Sequence, residues 1–113
     1  MNPRVQYLTE QFAVAAQLGA DDIPGVVAQG FRTLVNNRPD GEAGAAQPLS
    51  RDVQAAALAA GLHYVFLPVI PGAITAEEAR TMKQVLDTAP GPVLAFCRSG
   101  SRSANLFSLA LNS

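Results

Sequence analysis

The chain has 113 residues, 49% of them hydrophobic and 15% charged, with eight basic side chains against nine acidic ones for a net charge of −1. That is enough for one compact core and too little for two ordinary domains, so residues 1–113 are expected to form a single domain. The near-neutral balance and the lack of a basic run leave no electrostatic footprint for nucleic acid, and no apolar run approaches the roughly 20 residues that span a bilayer.

The first residues, MNPRVQYLTEQ, have no apolar core after a basic start, so no signal peptide is expected and a cytoplasmic location is. One cysteine and one histidine exclude an internal disulfide and a structural Cys/His zinc site; no metal or organic cofactor is implied. In chain order, residues 5–9 (VQYLT) are expected to pair as an edge hairpin with residues 12–16 (FAVAA). Asp21 and Asp22 mark a helix start before Ile23, Val26 and Val27, and Gly30 marks its stop. A strand over residues 33–35 (TLV) follows, then a helix opening at Ser50 with Val53, Ala56, Ala57 and Ala60 on one stripe and Gly61 at its end. Residues 64–69 (YVFLPV) form the next strand, with Tyr64 and Phe66 assigned to the core. Thr75 and Glu78 make a capping box for a helix carrying Ala76, Ala79, Met82, Leu86 and Ala89, which Pro90 and Gly91 end. Residues 92–97 (PVLAFC) are the last strand, leading into SANLFSLALN, apolar on nearly every side and expected as a buried central helix with Phe107 in the core.

Strands alternating with helices of this length imply right-handed crossovers and a mainly parallel α/β sheet. In such a sheet the loops at the carboxyl ends of the strands gather along one edge. Three loops become neighbours there: NNRPDGE (36–42), IPGAIT (70–75) and CRSGSR (97–102). Cys97 then ends a buried strand with a helix N-terminus aimed at its loop. Curling backbone N–H groups and aligned peptide dipoles favour an anion at such a place, so Cys97 is expected as a thiolate, assisted by Arg102. Gly100 permits the tight turn, Arg102 can grip an oxyanion with two parallel hydrogen bonds, and Ser103 can donate its hydroxyl to the sulfur. Ser99 and Ser101 complete the cradle. The bland alternative is a buried structural cysteine on an ordinary turn.

The CRSGSRS stretch resembles the active-site loop of rhodanese-type sulfurtransferases. The whole chain, from FAVAAQL through GFRTLVNNRPDGE and FLPVIPGAIT to GPVLAFCRSGSRSA, resembles the bacterial family of beta-lactamase-hydrolase-like proteins with a protein-tyrosine-phosphatase-like domain, some of them called sulfur transferases. That resemblance implies a phosphatase-like fold, a four-to-five-stranded sheet flanked by helices, and a persulfide dioxygenase as a partner. It also brings two chemistries into competition. Tyrosine phosphatases place five residues between the cysteine and the arginine, whereas this chain has four, Arg98 to Ser101, which is the rhodanese spacing. Such phosphatases also carry an aspartic acid on the loop after the strand equivalent to residues 64–69, and IPGAIT has no carboxylate; the usual histidine before the cysteine is replaced by Phe96. Losing a general acid costs typically about 10²–10⁴-fold in ester cleavage, while sulfite or a thiolate leaves unaided.

Asp40 is read as a turn residue flanked by Pro39 and Gly41, with replacing the missing acid or orienting Arg102 as its alternatives. Arg38 is read as solvent-facing or as a second anion contact, and Arg98 as pointing outward, where it can attract an anionic substrate. Asn36 and Asn37 are expected to bridge loops, and His63 to be structural. The expectation from sequence is therefore a sulfurtransferase in which Cys97 takes sulfane sulfur from thiosulfate or a small persulfide and passes it to a thiol, sulfite or cyanide. A cysteine-dependent phosphatase with Asp40 as its acid is one alternative, and a non-catalytic anion-binding or persulfide-sensing module is another.

Overall fold

A computed structural model describes residues 2–113. Five strands, β1 (Gln6–Thr9), β2 (Phe12–Ala15), β3 (Thr33–Asn36), β4 (His63–Phe66) and β5 (Val93–Phe96), stand in the order β1-β2-β5-β3-β4. β1 runs antiparallel to β2 as the expected edge hairpin, and the remaining pairs are parallel. Three helices connect the strands, α1 (Ile23–Ala28), α2 (Ser50–Ala59) and α3 (Ala76–Thr88), and α4 (Ser101–Leu111) follows β5. No helix among the described residues is long and apolar enough to cross a membrane.

The strand period of two splits the central strands between two cores. Ala13, Ala15, Leu34, Leu94 and Phe96 face α1 and α2, where they meet Ile23, Val26, Val53 and Ala57. Phe12, Val14, Val35, Val93 and Ala95 face α3 and α4, where they meet Met82, Leu106, Phe107 and Ala110. Both faces being covered explains why β2 and β5 read as unbroken apolar runs and why every residue of β2, β3 and β5 is buried. Phe12 and Phe107 stack with ring centroids 4.2 Å apart, tying β2 to α4.

This arrangement positions the site. The chain leaves β2 and β3 towards α1 and α2 on one face, and leaves β5, which lies between them, towards α4 on the other. Loops that part in opposite directions open a crevice at the carboxyl end of β5.

Three expectations need correcting. β4 ends at Phe66 rather than at residue 69, because Pro68 has no N–H for the ladder, although Leu67 and Val69 still donate to the carbonyls of Asn36 and Asn37 at 2.9 and 3.0 Å. As the edge strand, β4 leaves Phe66 at 42% exposure, outside the core. α4 is not buried all round: it rests on the sheet and α3 through Ser103, Leu106, Phe107 and Ala110, and leaves Leu109 and Leu111 exposed. The helix starts fared differently from one another. Thr75 and Glu78 form the reciprocal capping box of α3, with bonds of 3.1 and 2.8 Å. Ser50 instead lies inside α2, and its amide is held by Asp40 Oδ1 from across the loop at 2.8 Å.

Candidate active site

Cys97 follows the last residue of β5 and is 1% exposed, its sulfur lying at the floor of the loop. The Gly100 N–H donates to Sγ at 3.1 Å, a reach that requires the chain to reverse within three residues. Gly100 makes that turn at φ +98°, the left-handed region where a Cβ is strained. A Cβ there would sit 3.5 Å from the backbone of Ala15, ordinary contact, so the demand for glycine comes from the backbone and not from lack of room.

Burial alone would push the Cys97 thiol up. The N–H of Ser103, the Ser103 hydroxyl and the N–H groups of Ser99 and Gly100 outweigh it, and the thiol is lowered from its ordinary 9.0. The donors are loop amides and a helix start, as the sequence suggests; Arg102 is not among them. Ser103 has one hydroxyl proton, which lies on Asn37 Oδ1 at 2.9 Å while remaining within reach of the sulfur. Asn37 is held in turn by its Nδ2 donating to the Leu67 carbonyl at 2.9 Å. Ser99 and Ser101 are exposed, their hydroxyls 3.3 Å apart; Ser99 enters the cradle through its backbone amide, whereas the Ser101 amide turns to Ser99 Oγ at 3.5 Å.

Arg102 is 8% exposed and three of its five N–H groups are committed. Nη1 donates to Glu42 Oε2 at 2.9 Å and to the Val69 carbonyl at 3.1 Å, and Nη2 donates to Glu42 Oε1 at 3.1 Å. Nε is buried with no partner. A guanidinium held end-on by a carboxylate keeps its Nε–H and the second Nη2–H side by side, as a fork suited to two oxygens of one anion. A buried donor left unpaired is costly, which marks this N–H as a group awaiting an acceptor.

Glu42 is the residue that reading the sequence missed. Its carboxylate bridges two arginines, holding Arg102 end-on and Arg38 Nε at 2.9 Å. The hydrogen bond from Arg102, with a smaller share from Arg38, holds its carboxyl below the ordinary 4.5 despite partial burial, so it is an anion and not a proton donor. The signal was present in NRPDGE, where Gly41 turns the loop at φ +80° and brings Glu42 round beneath Arg102.

Two further corrections follow from the same loop. Arg38 is not solvent-facing: it is 7% exposed, bonded to Glu42 and, through Nη1, to Gln17 Oε1 at 3.1 Å. Asp40 does not orient Arg102, since Glu42 does, and its bond to the Ser50 amide makes it the loop tether that its turn setting suggested. Beneath that tether Ser50 Oγ, Tyr64 Oη and Asn36 Nδ2 form a chain of 2.7 and 3.1 Å, and burial raises the Tyr64 hydroxyl above its ordinary 10.0. Asn37 therefore bridges loops as expected, whereas Asn36 bonds Tyr64 on β4 and the Arg38 amide of its own loop; His63 lies exposed on β4.

The three loops meet around a cavity of about 420 Å³ lined by Arg38, Glu42, Ala43, Pro71, Arg98 and Arg102. Arg98 is exposed at its rim. Cavities of about 460 and 750 Å³ open beside α3 and β4, but neither is lined by residues of the cysteine loop.

The chain belongs to the family described as beta-lactamase hydrolase-like protein, phosphatase-like domain, which it matches over residues 4–113. It is 39% identical over 102 residues to a beta-lactamase hydrolase-like protein of Agrobacterium fabrum, an alignment covering 90% of this chain and 23% of that one. With a second such relative, from Xylella fastidiosa, covered to 25%, the chain spans about a quarter of the length of these curated relatives. Among solved structures, a candidate phosphatase from Neisseria meningitidis superposes with a TM-score of 0.82 at 30% identity, covering 89% of this chain and 71% of that one. The fold is thus the protein-tyrosine-phosphatase-like α/β fold, and the structural relative is named for phosphatase and not for sulfur-transfer chemistry.

Proposed function

We propose that this domain is a cysteine-dependent phosphatase that acts on phosphate monoesters whose leaving group departs without a proton. The Cys97 thiolate attacks phosphorus, the P–O bond to the leaving group breaks, and the leaving oxyanion takes its proton from water. Water then attacks the phosphocysteine, releasing inorganic phosphate and the thiolate. The loop N–H groups and the Arg102 fork hold the phosphoryl oxygens as charge shifts onto them. The observation that carries this reading is the buried, unpartnered Nε–H of Arg102 beside the loop whose amides converge on Cys97. The family's phosphatase-like standing supports it. Asp40, the acid in the version expected from sequence, takes no part, because it is bound to Ser50.

Sulfur transfer is the second reading, favoured by the four-residue spacing from Cys97 to Arg102 and by the want of an acid near the sulfur. Under that chemistry Cys97 displaces sulfite from thiosulfate, keeps the sulfane sulfur as a persulfide, and yields it to a thiol. One preparation decides between them. Hydrolysis of 4-nitrophenyl phosphate, absent in Cys97→Ser, together with no mass gain from thiosulfate, is the expected result. A gain of one sulfur atom, reversed by cyanide, with no phosphate release would make the second reading the right one.

A further inference from the structure

The cavity lined by Arg38, Glu42, Ala43, Pro71, Arg98 and Arg102 carries more positive charge than one phosphoryl group needs. Three arginines line it against one glutamate, and that glutamate is already shared by two of them. Arg102 is committed to Glu42 and the Val69 carbonyl through both Nη groups, with its Nε–H left unpartnered. Arg38 uses Nε on Glu42 and Nη1 on Gln17, leaving its Nη2 group without a protein partner among the described residues. Arg98 stands exposed at the rim with no carboxylate paired to it among the described residues. At about 420 Å³ the cavity falls in the roughly 300–1,000 Å³ range of small-molecule sites, with room beyond a lone phosphoryl group.

We infer that Arg38 and Arg98 form a second anion subsite in the same cavity, so that the substrate carries a second acidic group near the phosphoryl group that reaches Cys97. Arg38 supplies the preorganised part, since it is 7% exposed and held at two points, so that little side-chain freedom remains to be lost on binding. Arg98, exposed at the rim, supplies attraction for the second group. Ala43 and Pro71 offer no polar competitor between the two anion positions. This inference rests on the reading of the Cys97 loop as an oxyanion cradle, but not on turnover of any ester.

The test is calorimetric titration of the chain with three non-hydrolysable probes: methylphosphonate, phosphonoacetate and methylenediphosphonate. Methylenediphosphonate is expected to bind at least about fivefold more tightly than methylphosphonate, the gain one partly exposed and one buried charge contact provide. In Arg98→Ala that ratio should fall to about twofold or less, whereas in Arg51→Ala, which removes a distant exposed arginine, it should hold. A phosphonoacetate gain equal to that of the diphosphonate would assign the second group to acids in general, and a gain confined to the diphosphonate would assign it to phosphate. Equal affinities for the three probes, or a gain that survives Arg98→Ala, would overturn the subsite. If 4-nitrophenyl phosphate is not hydrolysed and the ratio behaves as described, the phosphatase reading fails while the subsite stands. Hydrolysis without discrimination is the reverse.

Discussion

Replacing Glu42 by Gln is the sharpest probe of how the site is assembled. The carboxylate accepts three charged hydrogen bonds, two from Arg102 and one from Arg38, both arginines being more than nine-tenths buried. An amide offers one oxygen to the same donors and turns an NH₂ group towards a guanidinium. Removing one partner of a fully buried pair costs about 3–5 kcal/mol. Glu42 keeps 26% side-chain exposure, so water offsets part of that and about 2 kcal/mol is the expected loss. In a domain of this size that is a fall in Tm of roughly 6–12 °C. Activity should suffer more, because Arg102 is then held by the Val69 carbonyl and at most one amide oxygen in place of a two-point carboxylate grip, and a shift of about 1 Å in a positioning group costs on the order of 100-fold. The assay is kcat/KM for 4-nitrophenyl phosphate beside thermal unfolding, across pH. The Glu42 carboxyl is lowered in the fold, so its contribution is complete above the ordinary 4.5 and is lost as pH falls through the lowered value; the stability gap between parent and variant should close in acid. A Gln variant within threefold of the parent in kcat/KM, with a gap that ignores pH, would refute the idea that Glu42 aims Arg102.

The lowered Cys97 thiol should react with iodoacetamide with a pH midpoint below the ordinary 9.0, as intact mass against pH would reveal, and a midpoint at or above 9.0 would contradict the hydrogen-bond account. Its stabilising contribution has the sign of a depressed acid: absent below the folded value, complete above the unfolded one, so the parent should gain stability over Cys97→Ser as pH rises between them. Asp40→Ala should lower stability by about 1 kcal/mol through loss of the bond to the Ser50 amide, while kcat/KM stays within tenfold; a loss of 100-fold or more at unchanged fold would restore Asp40 as an acid. Gly100→Ala should cost about 1–2 kcal/mol from the positive φ and raise the thiol towards its ordinary value, because the Gly100 N–H can no longer meet the sulfur without strain.

Much of this was legible in the chain because the signals were local. The apolar runs of β2, β3 and β5, the Thr75 and Glu78 capping box and the Cys97 to Arg102 loop each depend on neighbours within six residues. What was not legible depended on distance in sequence. Glu42 reaches Arg102 across 60 positions and was not singled out, and Asp40, which holds the first amide of a helix ten residues on, looked like a turn residue. Arg38 read as solvated because an arginine between Asn37 and Pro39 usually is; its burial follows from Glu42 and Gln17, neither of which composition singles out. Phe66 and the outer face of α4 erred the other way, since apolarity marks what can be buried and only sheet order decides which strand lies at the edge.

The same separation explains how one loop can look like two enzymes. Nucleophile activation in this fold is a local property: β5, a left-handed glycine and the first turn of α4 suffice to lower the Cys97 thiol, and nothing in that set distinguishes phosphorus from sulfur as the atom attacked. Discrimination has to come from groups brought in by the other loops. The loop after β3 contributes Glu42 and two buried guanidinium contacts, which favour a ligand rich in oxyanions. The loop after β4 contributes the Val69 carbonyl and Pro71 but no carboxylate. With a fixed anion grip and no proton donor, rate should depend steeply on leaving-group basicity: aryl phosphates should outrun alkyl phosphates by far more than in an enzyme that protonates the departing oxygen. That dependence is set by what the β4 loop lacks, and it would persist whichever substituent the Arg38 and Arg98 side of the cavity selects.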